Sequence, residues 1–141
     1  MSDTSTNSET DLFLGLSAEA VLRAVEAGGY QCKPVCFPLN SYENRVYLME
    51  LEDDTRIVSK FYRPGRWSEA QILEEHQFLI DLAGMEVPVC PTLPFPDGDT
   101  LKLVDGIRYC LFESRGGRAP EELTDEHATR LGMLVARMHN V

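Results

Sequence analysis

The stretch that decides the fold is residues 39–78, which read LNSYENRVYLMELEDDTRIVSKFYRPGRWSEAQILEEHQF. Its first half contains two runs rich in β-branched and aromatic residues, 45–51 and 56–62, separated by an acidic turn, a pattern typical of a β-hairpin. Its second half contains Ser68 and Gln71, spaced as a helix-capping box and followed by apolar residues at helical intervals. The stretch therefore predicts a strand pair that leads directly into a helix.

The flanking sequence predicts further helices and strands around this unit. Ser17 is placed to cap an earlier helix, and residues 31–39 are compatible with a strand, although two prolines make it irregular. Turn dipeptides flank residues 101–104 and 107–112, which predicts a second strand pair, and Thr124 is placed to cap a last helix. The expected architecture is α+β, with a five-stranded antiparallel sheet packed on one helix.

Composition limits the classes of protein to which the chain can belong. A length of 141 residues predicts one domain, and the net charge of −10 argues against a protein that coats nucleic acid or binds a membrane surface. No apolar run approaches the roughly 18 residues of a membrane span, and the N-terminus has no secretory pattern. Cys32 and Cys36 could form half of a zinc site, but no second close pair of Cys or His follows, and the three histidines show no metal-ligand spacing. We therefore expect free thiols, no metal ligands and a cytoplasmic location.

Two residues of the central stretch can act together on a ligand. Strand alternation places Lys60 on one face with Val58 and Tyr62. Glu75 shares the apolar face of the following helix, where a buried carboxylate is costly unless a cation pairs with it. The residues alone leave open whether Glu75 instead lies at the margin of that face and stays hydrated. A strand lysine with a glutamate on the next helix orients nucleotide phosphates in kinases, so we predict an ion pair between Lys60 and Glu75.

The turn at residues 40–44 lies before these strands, where kinases carry a glycine-rich phosphate loop. This turn contains no glycine. The Ser41 hydroxyl, the Asn40 amide and backbone N–H groups could nevertheless donate hydrogen bonds to phosphate oxygens. Without Lys60 and Glu75 downstream, these residues favour the other interpretation, an ordinary polar hairpin turn.

The sequence resembles the bacterial stress-response Ser/Thr protein kinases of the aminoglycoside-phosphotransferase-like and choline-kinase-like superfamily. The resemblance covers roughly residues 15–140, and the segments that carry it are 39–47, 58–64, 66–67, 71–78, 86–89, 112–118 and 137–139. It implies four segments. They are a flexible tail at 1–14, a protein-kinase-like N-lobe at 15–112, a hinge or linker at 113–123, and the first helix of a truncated C-lobe at 124–141.

The resemblance also implies the roles of individual residues in binding ATP. Lys60 would contact the nucleotide phosphates with Glu75 as its partner, and Ser41 would be the serine of the phosphate loop. Glu113 and Arg115 would belong to the hinge, whose backbone would bind the adenine. The family's catalytic loop, H-G-D-x-H-x-x-N, and its magnesium-binding aspartate do not occur in these 141 residues. We therefore expect no catalytic residue and no metal ligand here, and we expect the Mg²⁺ ligands in a missing C-lobe.

The expected function is that of the ATP-binding lobe of a Ser/Thr protein kinase involved in stress response, inactive on its own and acting on a protein substrate when complete. An alternative is a stand-alone pseudokinase-like interaction module without catalysis, and a third is an unrelated α+β interaction domain. We expect an exposed apolar stripe on the last helix, which would contact the missing C-lobe, fold back onto the sheet or mediate self-association. That stripe consists of Ala128, Leu131, Val135 and Met138.

Overall fold

The computed structural model describes residues 3–141, which form four helices and six strands. The elements in chain order are α1 (Asp3–Leu14), α2 (Ala18–Ala27), β1 (Cys32–Leu39), β2 (Arg45–Leu51), β3 (Arg56–Phe61), α3 (Glu69–Gly84), β4 (Thr92–Leu93), β5 (Lys102–Val104), β6 (Ile107–Glu113) and α4 (Asp125–His139).

All strands belong to one antiparallel sheet with the order β1-β2-β3-β6-β4, and β5 pairs with β6. The predicted α+β arrangement is confirmed. The sheet has six strands instead of five, because Thr92 and Leu93 pair with the end of β6. Prolines at positions 91 and 94 flank this pair, and a proline cannot donate a hydrogen bond to a strand ladder. These prolines explain why β4 is too short to be predicted from the sequence.

One face of the sheet packs against α1 and α2 and forms the main core. Ile57 and Phe61 on β3 are fully buried on this face, together with Met49 on β2 and Leu111 on β6. Ser59 lies between the two buried β3 residues and is itself fully buried. The period-2 alternation therefore places Lys60 on the opposite face, as the sequence predicts.

The opposite face carries a smaller cluster near α3. Tyr62, Ile72 and Cys110 form its buried part, and Leu101 and Phe112 pack around them. Because this cluster covers only a part of the face, the rest of the face, including the Lys60 side chain, keeps some contact with solvent.

Helix α1 is not predicted from the sequence. The resemblance implies a flexible tail at residues 1–14, whereas the structure forms a helix over Asp3–Leu14; the first two residues of the expected tail lie outside the described residues. Phe13 is only 2% exposed and belongs to the main core. The apolar residues of α1 cluster at one end of the helix, so α1 lacks the periodic stripe that identifies an amphipathic helix. One buried aromatic side chain attaches it to the core.

The predicted helix starts are confirmed by their hydrogen bonds. The Ser17 hydroxyl accepts a hydrogen bond from the backbone N–H of Ala20 at 3.1 Å. At the start of α3, the Ser68 hydroxyl accepts from the N–H of Gln71 at 3.2 Å, and the Gln71 side chain accepts from the N–H of Ser68 at 2.9 Å. Such a cap contributes about 1 kcal/mol to stability and fixes where α3 begins, which sets the position of Glu75 along the helix.

Helix α4 lies on the outside of the molecule. None of its residues is buried, and Leu131 and Val135 are 54% and 46% exposed, so the expected exposed stripe is confirmed at these positions. The Arg137 guanidinium donates a hydrogen bond to the carbonyl oxygen of Glu86 at 2.8 Å, which ties the end of α4 to the segment after α3. The stripe is not folded back onto the sheet.

Candidate functional site

Lys60 lies near the middle of the sheet, on the face that α3 partly covers. Its strand partners are Val46 on β2 and Cys110 on β6, so its backbone is fixed from both sides. Its side chain is 22% exposed. A cation held by a rigid strand and still open to solvent can bind an anionic ligand without a large change in backbone conformation.

Glu75 on α3 pairs with this lysine. Its carboxylate oxygen Oε1 lies 3.5 Å from Lys60 Nζ, so the predicted ion pair is confirmed. The glutamate side chain is 46% exposed, and the buried residues of α3 are Ile72, His76 and Leu82. Glu75 therefore lies at the margin of the buried face, which is the second of the two positions that the sequence left open.

Two buried side chains behind this pair were not predicted as part of the site. The Tyr62 ring lies beneath the ammonium of Lys60, with 4.7 Å between Nζ and the ring centroid, in a cation–π contact. The Tyr62 hydroxyl lies 3.1 Å from His76 Nε2. Two signals could have found them: Tyr62 alternates onto the face of Lys60, and His76 follows Ile72 by four residues and so shares its helix face.

The turn between β1 and β2 is held by side chains rather than formed by glycine. Asn44 accepts a hydrogen bond from the backbone N–H of Arg63 at 3.3 Å through its Oδ1, and Glu43 lies 3.4 Å from Arg66 Nε. Both partners belong to the segment that follows β3, so the turn is attached to the strand that carries Lys60. Ser41, at its tip, is exposed.

A polar cavity of about 270 Å³ lies under this turn. Ser41, Arg45 and Arg63 line it, together with Val46, the strand partner of Lys60, and with Phe13 and Leu14 at the end of α1. Arg45 lies on the α1 side of the sheet, where its guanidinium donates a hydrogen bond to the carbonyl oxygen of Leu14 at 3.3 Å. Lys60 itself does not line this cavity. The structure thus connects Ser41 to Lys60 through one strand pair and does not bring their side chains into direct contact.

The predicted hinge residues follow the last core strand. Glu113 ends β6, and its carboxylate lies 3.3 Å from the guanidinium of Arg115. Both side chains are more than half exposed. The backbone N–H of Ser114 donates to the carbonyl oxygen of Arg56 at 3.3 Å, which continues the pairing with β3 by one residue.

A row of side chains connects the turn region with this hinge. Strand register aligns Leu48, Val58, Phe112 and Thr92 across the sheet, on the same face as Lys60. Three of the four are apolar, and all lie one step of alternation from the Lys60 row. An apolar strip between a cationic group and a chain segment with exposed peptide groups can hold a flat, partly apolar ligand with a charged end.

The described part of the chain has no assembled metal site. In residues 3–141, no three His, Cys, Asp or Glu side chains are grouped so that they could hold a metal ion. No helix within these residues combines the length and the apolar character needed to cross a bilayer. The four cysteines of the chain are all unpaired.

Comparison with protein families decides the assignment. The sequence model of the family described as "Phosphotransferase enzyme family" matches residues 36–141, three quarters of the chain. The chain belongs to the phosphotransferase enzyme family. The match includes the turn, Lys60, Glu75 and the hinge segment.

Relatives of this chain include bacterial kinases. Stress response kinase A of Salmonella choleraesuis (strain SC-B67) is 42% identical over 133 residues, and its counterpart in Escherichia coli (strain K12) is 41% identical. Serine/threonine protein kinase RdoA of Salmonella typhimurium is also 42% identical. Each alignment covers 94% of this chain and 40% of the relative, so the chain spans less than half the length of these relatives.

Two solved kinase structures share the fold of this chain. Amicoumacin kinase hAmiN, in a complex with AMP-PNP, Ca²⁺ and Ami, matches with a TM-score of 0.73 and 22% identity over 89% of this chain. A microcompartment-associated aminopropanol kinase matches with a TM-score of 0.68 and 27% identity over 85% of this chain. Each match covers 40% of the solved chain. The antiparallel sheet with its flanking helices is a kinase-like N-lobe, as the resemblance implied.

Proposed function

We propose that this chain is the ATP-binding lobe of a Ser/Thr protein kinase that acts in a stress response. The observation that carries the proposal is the contact between Lys60 and Glu75, which joins the central strand to α3 at 3.5 Å. In kinases such a pair holds the lysine ammonium toward the nucleotide phosphates. The names of the relatives support protein Ser/Thr hydroxyls as acceptors and a role in stress response.

The phosphates would bind between Lys60 and the turn that carries Ser41. The turn supplies backbone N–H groups and one exposed hydroxyl. Arg45 is not placed to add to them, because it alternates onto the face of the sheet opposite Lys60 and its guanidinium donates a hydrogen bond to the carbonyl oxygen of Leu14 at 3.3 Å. The ion pair of Glu43 with Arg66 would keep the turn in place when phosphate oxygens approach.

The adenine would lie on the apolar row, against the hinge at residues 113–115. In an extended segment the peptide groups of successive residues point in opposite directions. Because the N–H of Ser114 is directed toward Arg56, the peptide groups of Glu113 and Arg115 would face away from β3. Their carbonyl and N–H groups would then be available to the adenine edge, while their side chains pair with each other.

Catalysis would depend on residues supplied by a second lobe, since the relatives extend well beyond the part that aligns with this chain. The described residues do not fit a magnesium site, so no step through Mg²⁺ is assigned to this chain. Phosphoryl transfer needs a base to orient the acceptor and cations to neutralise the transferred phosphate. We therefore expect residues 1–141 alone to bind ATP weakly and to have no kinase activity.

A second candidate function, a protein-interaction module, has one observation in its favour. Helix α4 exposes Leu131 and Val135, one turn apart on the same stripe, by 54% and 46%. An apolar helix face of this kind is usually covered by another protein surface. The covering surface would be the second lobe if the chain acts within a kinase, and another copy or a different protein if the chain acts alone.

The two candidates are separated by titrating the ¹⁵N-labelled chain with ATP and recording amide NMR spectra. The proposal predicts saturable shifts at Ser41, Lys60 and residues 113–115, at millimolar ATP, and their loss in Lys60→Met. Lys102→Met is the matched control, because Lys102 is held by aspartates elsewhere on the sheet. Shifts confined to surface cations, or equal in both variants, would contradict nucleotide binding at this site and favour the interaction module.

A further inference from the structure

A buried hydrogen-bonded network of polar side chains lies directly behind the Lys60–Glu75 pair. Tyr62 and His76 are 3% and 1% exposed, and the Tyr62 hydroxyl lies 3.1 Å from His76 Nε2. The other ring nitrogen of His76, Nδ1, lies 2.8 Å from the hydroxyl oxygen of Thr100. Since buried polar groups without partners destabilise a fold, these contacts fix the positions of both side chains.

When His76 is neutral, the hydrogen bonds among these buried side chains can all be donated in the same direction. Cys110 Sγ lies 3.5 Å from the Tyr62 hydroxyl oxygen, to which its S–H can donate. The Tyr62 O–H then donates to His76 Nε2, and the His76 Nδ1–H donates to Thr100. Burial lowers the pKa of His76 and the nearby Lys60 lowers it further, against an opposing effect of Glu75. The neutral imidazole is therefore the form that the site favours near neutral pH.

Tyr62 contacts both elements that the ion pair joins. Its ring lies under the Lys60 ammonium at 4.7 Å, and its hydroxyl reaches α3 at the residue next to Glu75. Within residues 3–141, the pairs Lys60–Glu75 and Tyr62–His76 are the polar side-chain contacts that connect this end of β3 to α3. The second pair is buried and the first is partly hydrated, so the second has the more rigid geometry.

We infer that Tyr62 and His76 are positioning residues, which hold α3 against β3 and keep the Lys60 ammonium directed toward bound nucleotide phosphates. This inference rests on the proposed ATP site. Neither residue needs to touch the nucleotide. Tyr62 acts through the cation–π contact, and His76 acts by fixing the helix on which Glu75 lies.

A purely structural role would give a different result from a positioning role, and the chain offers a matched control. Tyr109 is also buried, at 2% exposure, and its hydroxyl donates to the carbonyl oxygen of Ala24 at 2.6 Å on the opposite face of the sheet. Tyr62→Phe and Tyr109→Phe each remove one buried hydroxyl. Both should lower the melting temperature by a few degrees. Only Tyr62→Phe should disturb Lys60.

The experiment measures ATP affinity and the state of Lys60 separately. For nucleotide binding, Tyr62→Phe and His76→Leu should weaken ATP by about three- to tenfold, whereas Tyr109→Phe should stay within about twofold. His76→Gln keeps an acceptor for the Tyr62 hydroxyl and should recover most of the lost affinity. Burial lowers the pKa of His76, so protonation removes that acceptor only at a pH below the ordinary histidine value of about 6.5; there, native affinity should fall more steeply than that of His76→Gln, with ATP protonation common to both.

The second readout needs no nucleotide. The Tyr62 ring shields the Lys60 side-chain protons above it, so their NMR signals should be displaced upfield in the native chain. Tyr62→Leu, which removes the ring, should move these signals to the values of an exposed lysine. Tyr62→Phe and His76→Leu keep the ring and break its hydrogen bond to α3, so they should move the signals only part of the way, and Tyr109→Phe should not move them.

The outcomes separate this inference from the proposed function. Movement of the Lys60 signals without any saturable binding of ATP would support the coupling of Tyr62 and His76 to Lys60 and would contradict the proposed nucleotide site. Equal loss of ATP affinity in Tyr62→Phe and Tyr109→Phe, with unchanged Lys60 signals in every variant, would overturn the inference while the nucleotide site stood.

Discussion

The substitution Glu75→Gln separates the contribution of the ion pair to stability from its contribution to ligand binding. It keeps the size of the side chain and removes its charge. The two side chains are 22% and 46% exposed, and ion pairs with this much solvent contact contribute about 0–1 kcal/mol. We therefore expect the free energy of unfolding to fall by at most about 1 kcal/mol, which lowers the melting temperature by roughly 2–4 °C.

The effect on ATP should be larger than this. A hydrogen bond between a charged donor and a phosphate contributes about 1.5–3 kcal/mol, so losing the Lys60 ammonium in Lys60→Met should weaken ATP by roughly 10- to 150-fold. In Glu75→Gln the ammonium remains, held by the Tyr62 ring alone, and its direction is less well defined. We expect part of that loss, about tenfold, which corresponds to 1.4 kcal/mol.

The assay combines thermal melts with ATP titrations of the native chain, Glu75→Gln and Glu74→Gln. Glu74 is the exposed neighbour on the same helix and is the matched control. ATP affinity should fall in Glu75→Gln and stay unchanged in Glu74→Gln. If Glu75→Gln bound ATP as tightly as the native chain, the ion pair would be an ordinary surface contact and the reasoning would be refuted.

Other features of the fold give further expectations. The Ser59 hydroxyl is buried without a hydrogen-bond partner among the described residues, so Ser59→Ala should raise the free energy of unfolding by about 1 kcal/mol in urea denaturation; a loss of stability would show that the hydroxyl has an unseen partner. Cys90 is exposed, whereas burial raises the pKa of Cys110 to about 12, so iodoacetamide at mildly alkaline pH should modify Cys90 first. Mass spectrometry of the peptides measures the order, and fast modification of Cys110 would contradict its burial. The exposed stripe of α4 should make the chain self-associate in light scattering, and Leu131→Glu should reduce this; a native chain that stays monomeric at high concentration would contradict it.

The sequence predicts those parts of the fold whose signals are local. The Ser68 capping box, the alternation through Lys60 and the β2–β3 hairpin are properties of neighbouring residues, and the structure reproduces each of them. Helix α1 depends instead on one contact of Phe13 with a core assembled from distant strands. A two-residue strand such as β4 depends on β6, which follows it in the chain, so its own residues carry too little signal.

The site was predictable as a pair and not as an assembly. Strand alternation places Lys60 on one face and helical periodicity places Glu75 on the apolar side of α3, and the lysine–glutamate pattern of kinases identifies the two as a pair. The sequence does not predict Tyr62 and His76 as site residues, because a tyrosine and a histidine at apolar positions are typical of a core. Only the structure shows the hydrogen bond between them. The positions of Ser41, Glu113 and Arg115 relative to a nucleotide remain predictions, since they depend on a ligand.

The measurement that tests the central claim most directly is covalent labelling by an acyl phosphate of ATP. This reagent transfers its acyl group to a lysine amine beside the bound phosphates and releases ATP. The chain has three lysines, at positions 33, 60 and 102, and two of them are held by nearby carboxylates that raise their pKa. The account predicts that peptide mass spectrometry finds the label on Lys60 and that excess ATP prevents it. Labelling spread over Lys33 and Lys102 as well, and unchanged by excess ATP, would contradict the account.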